Sequence, residues 1–318
     1  MVVMKSRHLG WPAAAIAIAM VSACGATGGS GSTDGTVTVA AAFYPLEYAV
    51  SQIGGDHVDV QALTKPGAEP HDLELNPKQV GEVAQADLVV YEKGFQPAVD
   101  DAVKSEAKGT GFDVSPAARL DLAATEEGHD HAGETEQQHS DHATGAKDPH
   151  FWLDPMRYAD VGDAIAAELG RRDPANAAAY TANATAFRAQ LTTLDGEFRT
   201  GLRSCRIKDL VTSHAAFGYL SKAYGLTQES ITGLTPDSEP SPAALADLTR
   251  HIRESGATTV YAETLVSEDV AKTLARETGA TLAVLDPIEG ITTKSAAQDY
   301  PGVMRANLAT LKAGQECS

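Results

Sequence analysis

PANAAAYTANATAFRAQLTTLDGEFRTGL, residues 174–202, is the stretch on which the fold turns. Phe187, Leu191, Leu194, Phe198 and Leu202 recur at spacings of four, three, four and four, a single apolar stripe down one side of a helix. At 1.5 Å per residue such a helix extends roughly 40 Å, more than a small domain needs. A rod of that length can run along two lobes and join them.

On either side of the rod the chain alternates short apolar β-type runs with helix-like segments. Before it come VTVAAA (37–42), VDVQAL (58–63) and DLVVYE (87–92); after it come DLVTSH (209–214), LTQESI (226–231), TTVYAE (258–263) and TLAVLD (281–286). The later runs are separated by helix-like segments at 216–224, 242–255, 268–278 and 299–313. This alternation implies βαβ units and mostly parallel sheets. Asn76-Pro77, Asp154-Pro155, Asp173-Pro174 and Ser241-Pro242 each place a capping residue before proline at the first helical position. The expected organisation is an α/β lobe over 36–173, the connecting helix over 174–202 and a second α/β lobe over 203–318. Residues 123–147, polar and rich in histidine, lack any period and read as a disordered loop.

The 318 residues carry 43 acidic and 25 basic side chains, a formal charge of -18. So acidic a chain lacks the basic footprint of a nucleic-acid binder and raises the local concentration of cations, though solubility alone also accounts for the charge. Lys5 and Arg7 precede the short apolar run WPAAAIAIAMV (11–21), which suits a signal peptide over 1–23 and is too short to span a bilayer. Val21-Ser22-Ala23-Cys24 looks like a bacterial lipobox, with Cys24 lipidated and 24–35 a flexible spacer; the alternative is a plain export signal. Cys205 and Cys317 are then the remaining thiols in an oxidising compartment, where a disulfide is the expected outcome and a cysteine metal site would need more ligands.

Four side chains stand at or beyond strand ends, where ligands bind in open α/β sheets: His71 in GAEPHDLELNP, His150 in DPHFWLDP, His214 closing DLVTSH and Asp286 closing TLAVLD. Two come from each lobe. Three imidazoles and a carboxylate suit a tetrahedral Zn²⁺, yet ligands so far apart in sequence form no local motif.

The chain resembles the solute-binding lipoproteins of zinc and manganese ABC importers, the cluster A-I (cluster 9) family. The resemblance rests on GAEPHDLELNP, DPHFWLDP, VTSHAAFGYL and VLDPIEG in that order, with the long helix and the His-rich loop between them. It implies two doubly wound α/β lobes joined by a rigid helix, with one metal in the cleft between them held by His71, His150, His214 and Asp286. His214 stands where manganese-type members tend to carry Glu, which implies the zinc type, in keeping with imidazole suiting zinc. Water or Glu69 is the alternative fourth ligand, and Glu263 is either an orienting partner of a ligating imidazole or a contact between lobes. His129, His131, His139 and His142 then belong to an accessory loop that binds metal loosely, or to an inert insertion.

The implied role is that of an extracytoplasmic, lipid-anchored monomer that captures Zn²⁺ and delivers it to an ABC permease and its ATPase. The alternatives are a manganese carrier, a surface adhesin, and a zinc hydrolase using Glu263 as base. The last lacks an H-E-x-x-H helix.

Overall fold

A computed structural model of the chain describes residues 35–124, 146–236 and 238–318. The first sheet comprises β1 (Val37–Ala41), β2 (Val58–Ala62), β3 (Leu88–Tyr91) and β4 (Gly111–Asp113), and the second comprises β5 (Asp209–Thr212), β6 (Thr227–Ser230), β7 (Thr259–Ala262) and β8 (Thr281–Val284). The helices are α1 (Tyr44–Gly54), α2 (Pro77–Gln85), α3 (Pro97–Ser105), α4 (Ser115–Ala118), α5 (Pro155–Arg172), α6 (Ala177–Gly201), α7 (Gly218–Tyr224), α8 (Pro242–Ser255), α9 (Asp269–Thr278) and α10 (Tyr300–Gly314).

Both sheets are wholly parallel, in the orders β2-β1-β3-β4 and β6-β5-β7-β8. Each has a reversal of strand order beside its first strand, the place where a crevice opens at the carboxyl ends. Strands covered on both faces read as continuous apolar runs, which is why Leu88–Val90 and Thr259–Ala262 are buried throughout. The three-residue β4, Gly-Phe-Asp, offers no such run and was not expected from sequence.

The rod differs from its expected form. Asp173-Pro174 does not open it; Asp173 caps the end of α5, and its carboxylate accepts from Asn176 Nδ2 and the Tyr180 hydroxyl, both at 2.7 Å. The helix begins at Ala177 and runs about 37 Å. Its stripe is buried as expected: Phe187, Leu191, Leu194 and Phe198 are almost wholly covered. The N-terminal part packs on α5 and α1, with Asn183 Nδ2 donating to the Ile53 carbonyl at 2.9 Å. The C-terminal part reaches the second sheet's helices, where Asp195 accepts from the Tyr224 hydroxyl (3.2 Å) and Glu197 pairs with Arg305 of α10 (2.8 Å). One apolar core therefore runs from β1 and β3 through α5 and α6 to β5 and α10, and a smaller one around Val260, Ile252 and Leu274 lies against the second sheet.

Cys205 and Cys317 are joined in a disulfide that ties the chain after α6 to the end of α10. At its base the His-rich insertion is closed by a bridge between Ala123 and Lys147, with Ala124 N–H donating to the Ala146 carbonyl at 3.1 Å. The expected leader, Cys24, His129, His131, His139 and His142 lie outside the described residues. Among the described residues no helix is long and apolar enough to cross a membrane.

Candidate metal centre

The carboxyl ends of the strands deliver their following loops to one place. His71 lies in the irregular segment between β2 and α2, whose far end is fixed by a capping box in which Asn76 accepts from Lys78 N–H and Gln79 N–H. Gln96 Nε2 ties that segment down by donating to the Thr64 hydroxyl (3.1 Å) and the Pro70 carbonyl (3.0 Å). His150 precedes a 3₁₀ turn, Phe151–Leu153, that enters α5 through the cap Asp154. His214 follows β5, its carbonyl accepting from Thr212 Oγ1 at 2.7 Å. Glu289 comes from the turn after β8, where Ile288 is buried with φ 59°. A β-branched residue in the left-handed region costs about 1–3 kcal/mol and persists only where its surroundings impose it.

These four side chains converge. Glu289 Oε1 stands 3.1 Å from His71 Nε2, 3.1 Å from His150 Nε2 and 3.3 Å from His214 Nε2. His150 Nε2 is 3.3 Å from His71 Nε2 and 3.4 Å from His214 Nε2. Donors held 2.0–2.1 Å from a tetrahedral zinc stand about 3.3 Å apart, and these five separations fit that spacing, while all four donor atoms lie within 4.8 Å of one another.

The imidazoles are turned to present Nε2. Asp148 Oδ1 accepts from both the backbone N–H (2.9 Å) and Nδ1 (2.8 Å) of His150. Glu263 does the same for His214, at 2.9 Å to the backbone N–H and 2.7 Å to Nδ1. A carboxylate only accepts, so each Nδ1 carries the hydrogen and each neutral ring leaves a lone pair on Nε2. Lone pairs and a carboxylate oxygen aimed at a shared point repel one another unless a proton or a cation sits among them. Glu289 Oε2 is buried without a hydrogen-bond partner among the described residues, as are Glu69 Oε2 and Asp286 Oδ2, but it is Glu289 whose other oxygen lies within 3.3 Å of all three imidazoles.

The titration of the site follows from burial against charge. Burial pulls His71 below the usual imidazole range, only partly opposed by Glu289. Burial also acts to lower His150, but its bonds to Asp148 and Glu289 prevail and raise it. For His214 the charges of Glu263 and Glu289 overcome burial and hold it well above the ordinary value. Glu289 is held well below the carboxylate range, its burial outweighed by His214 and the bonds to the other two imidazoles.

Of the residues expected at the site, the structure brings His71, His150 and His214 together and leaves Asp286 outside the cluster of possible ligands. Asp286 is buried, pushed up to about 6 chiefly by desolvation, and its Oδ1 accepts the Ile288 N–H at 2.8 Å. Glu69 lies beside the cluster; its Oε1 accepts the His71 N–H (2.9 Å) and stays 4.0 Å from His71 Nε2, while burial and then Glu289 push it up to about 8. Glu263 orients His214. Sequence reasoning missed Glu289 and Asp148. A signal for Asp148 is visible in the chain: Glu69-Pro70-His71 and Asp148-Pro149-His150 repeat one acid–Pro–His pattern.

Comparison with known proteins shows the family to which the chain belongs. The family model described as ZnuA, zinc-uptake complex component A, periplasmic, matches residues 39–314. The zinc-binding protein AdcA of Streptococcus pyogenes serotype M3 is 38% identical over 289 residues, covering 88% of this chain and 56% of that protein. The chain thus spans little more than half the length of that relative. The high-affinity zinc uptake system protein ZnuA of Bacillus subtilis is 36% identical over 299 residues, covering 92% of this chain and 93% of that one. Among solved structures, the Zn(II)-bound ZnuA-like domain of Streptococcus pneumoniae AdcA superposes with a TM-score of 0.72 at 32% identity, covering 89% of this chain and 100% of that domain.

Proposed function

We propose a function from one premise: the chain belongs to the ZnuA family, the periplasmic component A of zinc-uptake complexes. It captures Zn²⁺ outside the cytoplasm and hands it to an ABC permease driven by its ATPase. His71, His150, His214 and Glu289 are the ligands, with Asp286 bracing the turn that carries Glu289. The observation that carries this reading is the close convergence of three Nε2 atoms and one carboxylate oxygen, at separations that suit the donors of one tetrahedral ion. Imidazole at His214, where a carboxylate would suit harder Mn²⁺, favours zinc.

A hydrolytic role is disfavoured by the same geometry. Four protein donors fill a tetrahedral shell and leave no position for water. Glu263, the candidate base, spends both oxygens on His214. Anchoring through a lipid on Cys24, action as a monomer on the outer face of the cytoplasmic membrane, and loose metal collection by His129, His131, His139 and His142 complete the proposal.

Zinc titrations of Glu289→Gln and Asp286→Asn test the ligand set. Glu289→Gln is expected to weaken zinc binding at least tenfold, whereas Asp286→Asn keeps an acceptor for the Ile288 N–H and is expected to change it less than threefold (order-of-magnitude expectations for a lost ligand against a retained bond). The reverse ranking would return Asp286 to the shell. Zinc uptake by cells carrying His214→Ala in place of the wild type should fall to the level of cells lacking the protein; unchanged uptake would refute capture at this site.

A further inference from the structure

Glu289 reaches the cluster from a turn that would not hold its shape unaided. Ile288, immediately before it, is buried in the left-handed region, where a β-branched side chain crowds its own backbone. Two braces come from the second lobe. Asp286 Oδ1 accepts the Ile288 N–H, and Asn307 of α10 clasps Asp286 by accepting its N–H (3.0 Å) and donating to its carbonyl (2.6 Å). The third comes from elsewhere: Trp152 Nε1 donates to the Pro287 carbonyl at 2.8 Å.

Trp152 is wholly buried on the turn that follows His150. Its ring packs against His150 (5.2 Å between centroids) and against Phe43 (5.1 Å) and Phe95 (5.9 Å) of the first lobe. Its carbonyl accepts from the Tyr300 hydroxyl at the start of α10, at 2.5 Å. One residue is therefore seated among first-lobe aromatics, adjoins one imidazole, and holds the carbonyl next to the strained residue that aims the carboxylate.

We propose that Trp152 is a positioning residue for zinc capture, coupling the seating of His150 to the aim of Glu289. A buried indole N–H needs its acceptor, so the Trp152–Pro287 bond is a fixed point for the turn. Without it Ile288 relaxes toward an ordinary backbone conformation and the Glu289 carboxylate swings off the three imidazoles, leaving the fourth position to water. The inference rests on the reading of the cluster as a zinc site.

Zinc affinities of the full chain, measured against a chromophoric chelator for wild type, Trp152→Phe, Glu289→Gln and the double variant, decide it. Phenylalanine keeps an aromatic ring in place and removes the N–H. Trp152→Phe is expected to weaken zinc roughly 10–100-fold, the range for groups that orient ligands. The double variant should bind no more weakly than Glu289→Gln alone, because the indole acts through the carboxylate. If the two losses multiply instead, Trp152 serves packing alone and the proposal fails. If Trp152→Phe does not fold, reciprocity supplies the test: one equivalent of zinc should slow exchange of the Trp152 indole proton in wild type and not in Glu289→Gln. Equal slowing in both would overturn the coupling. Wild-type affinity in His214→Ala would instead refute the zinc site itself, which keeps the two failures apart.

Discussion

Glu69-Pro70-His71 and Asp148-Pro149-His150 begin from the same local pattern and end differently. In both, the acid accepts the backbone N–H of the histidine two residues on, at 2.9 Å. Only Asp148 also takes the ring: its Oδ1 binds His150 Nδ1, and the His150 side chain is completely buried. His71 Nδ1 has no partner among the described residues, its side chain keeps 8% exposure, and Phe95 meets its ring edge-on at 4.7 Å. The longer Glu69 side chain carries its carboxyl past the ring's tether position toward Nε2. One methylene thus separates a ring locked for ligation from one held by packing. His150 and His214, each tied to a carboxylate, form the fixed part of the site, and His71 is the adaptable part.

Substitutions at the locked rings should cost the most and those beside His71 the least. His150→Ala removes a locked ligand and should reduce main-site zinc below detection in metal analysis of purified protein; retained stoichiometry would contradict its place in the shell. Asp148→Asn replaces the carboxyl tether by an amide and should weaken zinc about 10–100-fold, and an affinity within threefold of wild type would show that the tether is idle.

Acid should act unevenly on the two rings. Imidazoles must shed their protons to ligate, so zinc affinity falls as pH drops. In the metal-free protein the raised groups, His150 and His214, take up protons first as the solution is acidified, and the lowered His71 last. NMR titration should place the first two above the ordinary value of about 6.5 and His71 below it; the opposite order would dissolve the distinction. The smallest effect belongs to Glu69→Gln, which keeps an acceptor for the His71 N–H. A loss below about tenfold is expected, since no ring tether is broken, and a larger loss would make Glu69 a ligand.

Much of this was legible in the chain because parallel, doubly covered strands leave continuous apolar runs, and the loops after them are where ligands gather. VTVAAA, DLVVYE and TTVYAE announce β1, β3 and β7, and DLVTSH places His214 beside the end of β5. The rod was legible from its stripe, but its start was not: Asp173-Pro174 has the grammar of a helix opening, and only the tertiary arrangement turns the Asp173 carboxylate to Asn176 and Tyr180. Asp286 drew attention as the acid that closes an apolar run. Glu289 reaches the imidazoles through a left-handed isoleucine, a conformation no propensity favours, braced by Asp286 two residues earlier and by Asn307 and Trp152 from distant parts of the chain.

X-ray absorption at the zinc edge, on protein loaded with one equivalent of zinc, reads the ligand shell itself. A four-coordinate shell is expected, with three imidazoles at about 2.0–2.1 Å and one carboxylate oxygen at about 2.0–2.2 Å, the oxygen contribution altered in Glu289→Gln. Fewer than three imidazoles, or a spectrum unchanged by that substitution, would contradict it.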